Sequence, residues 1–244
     1  ELKEYVYSPK EIARDGIGLG YLYWVINKTP ETFEDMEAYV KFIESMGITT
    51  VVYSGEGGQI LGNRALIETL GSRKGIKFIF ANNLESRAGL KQKLAGKSKE
   101  VLFIASSKSG GTDETAFNTQ TMIRYFIREF ASDDNIAQAL INKVQGQDIT
   151  KDEFELILTS EEEKTLKEVV KHLLFTTTED KKKSALYGLA TKAYRVDNSL
   201  GNLGIKTYAI HVSIGGRFTV LSESGNITSL LAGLDVRAMN KVVR

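Results

Sequence analysis

Five short, predominantly apolar segments alternate with helical stretches along this chain. These segments are Thr49–Tyr53, Lys77–Phe80, Val101–Ala105, His172–Thr176 and Thr207–Ile210. A short apolar run without polar alternation is typical of a strand that is buried on both faces of a parallel sheet. Strands that alternate with helices form βαβ units with right-handed crossovers. The pattern therefore predicts an α/β fold, a three-layer αβα sandwich around a five-stranded parallel sheet.

A helix is predicted to begin at Pro30, because proline is favoured at the first helical position after an N-cap residue, here Thr29. The apolar residues that follow recur on one helical stripe: Phe33, Met36, Tyr39, Val40 and Ile43. Before this helix, Tyr21–Ile26 fits a short strand or a buried helix equally well.

The chain is expected to divide into an N-terminal segment, residues 1–30, and one domain over residues 31–244. Within that domain, residues 132–171 are predicted to form a helical, acidic excursion with a solvated face, and a partner-binding segment is the alternative. Thr159 and Ser160 are suited to cap a helix inside it.

Composition excludes several classes of function. The 32 basic and 31 acidic residues leave a net charge of +1, which argues against nucleic-acid binding. The sequence has no cysteine, so it has no disulfide, thiol nucleophile or thiolate metal site. It also lacks the run of about 18 apolar residues that a membrane span needs, and its histidines and carboxylates lack metal-ligand spacing. We expect a cytoplasmic protein with no metal, no cofactor and no membrane partner.

The turn after Val101–Ala105 is rich in hydroxyl groups and glycine. A helix is predicted to begin near Thr112, because apolar residues then recur at helical spacing. Gly110 and Gly111 are free to adopt positive φ. The P-loop pattern G-x-x-x-x-G-K-[ST] is absent. A plain capped helix start with incidental hydroxyls is the alternative to a ligand-binding turn.

A phosphate is the ligand that suits this turn. Backbone N–H groups and the hydroxyls of Ser107, Ser109 and Thr112 would meet at the positive end of the helix dipole. Lys108 adds a positive point charge to these neutral donors. The turn therefore predicts a phosphate site at the mouth of the sheet.

Three segments resemble motifs of one family. Ser107–Thr115 is similar to the pattern S-K-[ST]-x-[ST]-T-x-E-T, and Gly215–Thr219 to G-G-R-[FY]-[ST]. Ala232–Asp235 matches A-G-[IL]-D downstream. More weakly, Gly55–Gly62 stands where that family has G-I-G-G-S-x-L-G. In consistent order from about Met46 to Val242, the chain thus resembles the N-terminal sugar-isomerase (SIS) domain of the glucose-6-phosphate isomerase family.

The chain departs from the family pattern at three positions. Gly111 replaces a threonine or serine, Gln59 replaces a serine and Glu56 replaces an apolar residue. Gln59 can still donate a hydrogen bond to a phosphate or sugar oxygen, whereas Glu56 would repel a dianion unless it turns away. Independently of the family, Gly55–Gly62 is equally consistent with close packing of a helix on a strand.

The resemblance implies a flavodoxin-like SIS domain that binds glucose 6-phosphate and fructose 6-phosphate. Their interconversion proceeds through an enediol in glycolysis and gluconeogenesis. The implied phosphate-binding residues are Gly58, Gln59, Ser107, Lys108, Ser109, Gly110, Gly111 and Thr112. By the same resemblance Arg217 supports the negative intermediate, and Glu114 has a secondary role near the sugar. An arginine that pins a helix to an acidic neighbour is the alternative for Arg217, and a first-turn carboxylate stabilised by the helix dipole is the alternative for Glu114.

In the family, the base glutamate, the ring-opening histidine and a late lysine lie in the second SIS domain and the C-terminal region. The resemblance therefore implies the N-terminal portion of a homodimeric isomerase, inactive by itself. His172 and His211 match no family histidine and are expected to be packed or hydrogen-bonded. A single SIS domain that senses a phosphosugar without catalysis is the competing hypothesis. A dinucleotide-binding domain is a weak third, because Gly55–Gly62 lacks the context of G-x-G-x-x-G.

Overall fold

A computed structural model of the chain describes residues 30–81, 87–94, 96–108, 112–145, 158–177, 205–210, 214 and 216–242. Its five strands are β1 (Thr50–Gly55), β2 (Lys77–Ala81), β3 (Val101–Ser106), β4 (Leu173–Thr177) and β5 (Lys206–Ala209). They form one sheet in the order β2-β1-β3-β4-β5, and every neighbouring pair is parallel. All five predicted strands are confirmed, with ends shifted by one or two residues.

Eight helices surround the sheet within the described ranges. They are α1 (Pro30–Ser45), α2 (Gly58–Leu70), α3 (Arg87–Leu94), α4 (Asp113–Phe130), α5 (Asp134–Gln145), α6 (Ser160–Lys171), α7 (Glu223–Leu231) and α8 (Val236–Val242). Two short 3₁₀ turns cover Ser98–Glu100 and Gly216–Leu221. The predicted start of a helix at Pro30 is confirmed, and so is the start of a helix next to Thr112.

Both faces of the sheet are covered, which makes the three-layer αβα sandwich that the sequence predicted. On one face, residues of α3 to α6 pack against the sheet, among them Met122, Leu140 and Val169. On the other face, α1, α2 and α7 contribute Met36, Ile60 and Ile227. Because both faces are buried, β1 and β3 are buried at every position, as continuous apolar runs require.

The acidic segment near α6 is partly buried. The Thr159 hydroxyl accepts a hydrogen bond from the Glu162 backbone N–H at 3.3 Å, and the Glu162 carboxylate accepts one from the Thr159 backbone N–H at 2.7 Å. Thr159 thus caps the helix as predicted, in a capping box. Only 3% of Glu162 is exposed, and Lys143 of α5 donates to both its carboxylate oxygens at 2.6 and 2.7 Å. The two helices are therefore tied together within the outer layer.

His172 is packed, as the sequence predicted. It follows α6 directly and is buried, with its Nδ1 2.7 Å from the carbonyl oxygen of Val101. Its ring centroid lies 5.4 Å from that of Phe126 and 4.9 Å from that of Phe130. Burial lowers the pKa of His172. Its partners are backbone and aromatic rings, which is a structural role.

Some sequence predictions fall outside the described residues. Tyr21–Ile26 and His211 are among them, as is the segment 1–29. The division into residues 1–30 and 31–244 therefore stays a prediction.

The order of the strands decides where a ligand can bind. β1 leads through α2 to β2 on one side, whereas β3 lies on the other side of β1. In an open parallel sheet, such a reversal leaves a crevice beyond the carboxyl ends of the two central strands, and ligands bind there. In this sheet the crevice lies beyond Gly55 and Ser106, which pair in the register of β1 and β3.

Candidate active site

Two of the predicted segments begin at this crevice. Gly55–Gly62 continues β1 into α2, and the turn after Ser106 continues β3 into α4. A hydrogen bond from the Asn118 side chain to the Ser54 hydroxyl, 3.2 Å long, ties α4 to the end of β1. The expectation that the two loops follow neighbouring strands of one sheet is thereby confirmed.

The start of the predicted phosphate turn, at Ser107 and Lys108, is held by the neighbouring strand β4. The backbone N–H of Ser107 donates to the carbonyl oxygen of Thr176 at 3.0 Å. The Thr177 hydroxyl donates to the carbonyl oxygen of Lys108 at 3.5 Å. Ser107 is buried and Lys108 is half-buried. Ser107 and Lys108 are thus held by two residues of one strand, β4, while Ser109, Gly110 and Gly111 lie outside the described ranges.

The hydroxyls at the two ends of this turn meet. Ser107 Oγ and Thr112 Oγ1 are 3.0 Å apart. Thr112 is the N-cap residue of α4, yet its side chain makes no cap hydrogen bond. The plain helix cap that the sequence left open is therefore not formed. The N-terminus of an 18-residue helix lies beside two hydroxyl groups, which is the arrangement that suits an anion.

Lys108 supplies positive charge at the turn. Partial burial lowers the pKa of its ammonium group, because the charged form loses solvation. An anion beside the ammonium group would replace the lost solvation by an ion pair. Lys108 is thus suited to a phosphate, and its charge would be felt most strongly by a dianion.

The loop after β1 begins α2 with glycine. Gly57 has a φ of +52°, which favours glycine, and it is the N-cap residue of α2. Gly58 is the first helical residue and Gln59, the second, is buried. A Cβ atom at Gly216 would lie 3.3 Å from Gln59 Cγ. Gln59 therefore packs against the Gly215–Thr219 motif, which brings the third predicted segment to the same place.

Residues 216–219 of the third motif lie in the 3₁₀ turn Gly216–Leu221, and Gly215 lies outside the described residues. The hydroxyl of Thr219 donates to the carbonyl oxygen of Gly216 at 2.8 Å. This turn packs closely on α2, since a Cβ atom at Gly62 would lie 3.2 Å from Val220 Cβ. Arg217 is the second residue of the turn, and its side chain lies outside the described part of the molecule.

Two carboxyl groups meet at the mouth of the crevice. Glu56 follows β1 and Glu114 lies in the first turn of α4. The negative charge of Glu114 raises the pKa of Glu56. Glu56 is exposed, and Glu114 is half-buried. This acidic pair lies next to the predicted phosphate turn, where its negative charge opposes the positive charge of Lys108 and of the N-terminus of α4.

Sequence reasoning missed a cluster of buried hydroxyl groups directly behind the crevice. Its central residue is Ser224 of α7, whose hydroxyl contacts those of Ser106, the last residue of β3, and Thr176, the last but one of β4. Single serines and threonines at strand ends give no local signal. The signal that was present is the composition of α7, which carries four buried small polar residues in nine positions: Ser224, Asn226, Thr228 and Ser229.

Chemically, the described part of the crevice offers hydrogen-bond donors that suit an anion. Within the described ranges, no group of three or more His, Asp or Glu side chains lies close enough together to hold a metal ion. None of the helices described here is both long and apolar enough to cross a membrane.

Comparison with known proteins agrees with the motifs. No family model matches the chain. The chain is 28% identical over 243 residues to a glucose-6-phosphate isomerase of Staphylococcus aureus (strain Newman), covering 97% of this chain and 45% of that protein. A glucose-6-phosphate isomerase of Staphylococcus saprophyticus is also 28% identical, over 246 residues and with the same shares. The chain thus spans less than half the length of these curated relatives.

Solved structures share the fold. A hypothetical protein of Thermus thermophilus superposes with a TM-score of 0.61 at 22% identity, covering 98% of this chain and 46% of that one. A glucose-6-phosphate isomerase of Chlamydia trachomatis superposes with a TM-score of 0.51 at 19% identity, covering 87% of this chain and 32% of that one. Along almost its whole length the chain therefore resembles the glucose-6-phosphate isomerase family, as its motifs predicted.

Proposed function

We propose that this chain is the N-terminal, phosphate-binding portion of a cytoplasmic, homodimeric glucose-6-phosphate isomerase. The observation that carries the proposal is the meeting of three segments, far apart in sequence, at one crevice of the sheet. Gln59 packs against Gly216, and the turn that begins at Ser107 follows the strand beside β1. Each segment resembles a motif of the same enzyme family.

The phosphate of glucose 6-phosphate or fructose 6-phosphate would bind at the N-terminus of α4. Its donors would be the backbone N–H groups of residues 107–112 and the hydroxyls of Ser107, Ser109 and Thr112. Lys108 would supply the charge, and Gly58 and Gln59 would close the site from the side of α2. Such a combination of helix dipole, backbone amides and one lysine is sufficient to hold a dianion.

The chemistry requires a base, an acid that opens the sugar ring and stabilisation of a negative enediol intermediate. In this proposal Arg217 supplies the stabilisation, because a fixed positive charge acts most strongly where charge develops. Glu114 contacts the sugar in a secondary role. The base and the ring-opening acid come from the part of the enzyme that corresponds to the other half of the curated relatives.

A non-catalytic phosphosugar sensor is the second candidate. It is favoured by the acidic pair of Glu56 and Glu114, which places negative charge beside the phosphate turn. Gly111 also removes a hydroxyl that the family pattern has. These departures weaken phosphate binding in this proposal without removing the backbone donors.

Calorimetric titration of the chain with fructose 6-phosphate, inorganic phosphate and fructose tests the proposal. Both phosphates should bind and fructose should not. Lys108→Gln should weaken phosphate binding roughly tenfold, the effect of losing one charged hydrogen bond. Lys99→Gln is the control, because Lys99 is an exposed lysine at the opposite, amino end of β3. Equal loss in both variants, or tight binding of fructose, would contradict a phosphate site at this turn.

A further inference from the structure

We propose that Ser224 is a positioning residue of the phosphate site. Its buried hydroxyl joins the ends of β1, β3 and β4, and so sets the spacing between the phosphate turn and the start of α2. The inference rests on the proposed function, because it concerns how that site is held in shape. Ser224 lies behind the crevice and is fully buried, so it acts through other residues.

Three hydroxyl groups surround the Ser224 hydroxyl. Ser224 Oγ lies 2.9 Å from Thr176 Oγ1, 3.1 Å from Ser106 Oγ and 3.4 Å from Tyr53 Oη. Thr176, Ser106 and Tyr53 belong to three adjacent strands of the sheet. One side chain of α7 therefore contacts all three central strands at their carboxyl ends.

The protons of this cluster can be assigned without leaving a hydroxyl unpaired. Tyr53 Oη donates to the carbonyl oxygen of Gln59 at 3.2 Å and accepts from Asn63 Nδ2 at 3.2 Å. Ser224 then donates to Tyr53, and it accepts from Ser106 and Thr176. Each hydroxyl group donates once, as its single proton allows. The chain of bonds thus runs from two strand ends through Ser224 to the first turn of α2.

Every end of this chain of bonds lies next to a site residue. Ser106 precedes Ser107, and the carbonyl oxygen of Thr176 accepts the Ser107 N–H. At the other end, the bond from Tyr53 holds the backbone of Gln59. Removing the Ser224 hydroxyl would break the hydrogen-bonded link between the phosphate turn and the Gln59 backbone.

The same residue also places the Gly216–Leu221 turn. Gly225 follows Ser224, and a Cβ atom at Gly225 would overlap the carbonyl oxygen of Val220. The first turn of α7 therefore lies directly against the turn that carries Arg217. Because Ser224 anchors this end of α7 to the strands, it also sets the distance between the Arg217 backbone and the phosphate turn.

Packing alone does not account for a serine at this position. Burying a hydroxyl group costs free energy unless it is hydrogen-bonded, and an apolar residue would fill the space without that cost. Ser229 on the same helix shows the contrast. It is equally buried, but its Oγ has no hydrogen-bond partner within the described residues. Ser224 and Ser229 are thus two equally buried serines of one helix, and of these two only Ser224 belongs to the network of hydroxyl groups.

The test compares Ser224→Ala with Ser229→Ala, using fructose 6-phosphate and inorganic phosphate as ligands. Binding is measured by calorimetry well below the unfolding temperature of each variant. Ser224→Ala should weaken the binding of both ligands roughly tenfold, the scale of one lost hydrogen bond, and Ser229→Ala should leave it unchanged. Amide hydrogen exchange without ligand should be faster at Ser107 in Ser224→Ala alone.

The outcomes separate this inference from the proposed function. Equal binding by wild type and Ser224→Ala, with only the unfolding temperature lowered, would overturn the positioning role and leave the proposed function standing. Absence of binding by the wild type would overturn the proposed function and this inference with it. If Ser224→Ala does not fold, Ser224→Cys is compared instead, since its thiol has nearly the same shape but is a weak donor.

Discussion

The backbone of Gly216 lies against the Gln59 side chain, so that a Cβ atom at Gly216 would stand 3.3 Å from Gln59 Cγ. This approach joins two of the family-like segments across 157 residues (216 − 59) of sequence. Gly225, in the same region, has a much closer neighbour, because its Cβ would overlap the backbone of Val220. Neither glycine has a positive φ. Close contact, rather than backbone strain, accounts for both glycines.

Replacing these two glycines by alanine should therefore have different effects. Gly225→Ala should lower the free energy of unfolding by about 3 kcal/mol or more, because the overlap is with rigid backbone. Gly216→Ala should cost less than about 1 kcal/mol, since Gln59 can move by a few tenths of an ångström, yet it should weaken phosphosugar binding. Urea unfolding and calorimetry measure the two quantities. Equal stability of both variants would contradict the close approach at Gly225.

Glu56→Gln should tighten phosphosugar binding at neutral pH. The Glu114 charge raises the pKa of Glu56, so two like charges are held together beside the proposed phosphate turn when both are ionised. The glutamine removes one of them and can still donate a hydrogen bond to Glu114. Titration with fructose 6-phosphate at low ionic strength measures the effect. Glu68→Gln, at an exposed position near the far end of α2, is the control.

The same pair predicts a pH dependence of stability. A carboxyl whose pKa is raised in the folded protein binds its proton more tightly there than in the unfolded chain. Stability from this group is therefore lost as the pH rises from the ordinary glutamate pKa through the raised one. Glu56→Gln should remove that loss. The unfolding free energy of the variant, relative to that of the wild type, should therefore increase as the pH rises from the ordinary glutamate pKa through the raised one. A constant difference would argue against the acidic pair.

His172 should make the protein less stable at acidic pH. Burial lowers the pKa of this histidine, so the unfolded chain binds a proton at a higher pH than the folded protein does. The contribution of the neutral ring is complete above the ordinary histidine pKa of about 6.5, and it is lost as the pH falls toward the lowered value. From neutral to mildly acidic pH, the free energy of unfolding of His172→Gln should therefore fall less steeply than that of the wild type. His211 is present in both proteins, so its contribution cancels.

The chain alone should not interconvert fructose 6-phosphate and glucose 6-phosphate. It contains the proposed phosphate turn and Arg217, but the resemblance assigns the base to another part of the enzyme, and such groups contribute about 10²–10⁴-fold each. In the full-length isomerase that we propose, Arg217→Ala should lower turnover more than substrate binding, because an enediolate would need the charge most. A coupled assay measures both. Robust turnover by the chain alone, abolished by Glu114→Gln, would instead make Glu114 the base.

Local patterns were sufficient to predict the five strands and the starts of three helices, α1, α4 and α6. The apolar run Val101–Ala105 became a fully buried strand, and Pro30 begins α1. Thr159 caps α6 because the signal of a capping residue lies within one turn of the helix. The start of α4 next to Thr112 was predictable for the same reason, since the apolar residues at helical spacing follow directly in sequence. The phosphate site at the turn before it stays a prediction.

Contacts between distant residues were decided only by the tertiary structure. Ser224 and Ser106, separated by 118 residues, meet because β3 and α7 pack around the same crevice. Glu56 and Glu114 meet because β3 lies beside β1 rather than beside β2. The strand and helix periods of 2.0 and 3.6 residues specify which face of an element is apolar. They do not specify which other element covers that face, because that choice depends on loop closure and packing of the whole chain.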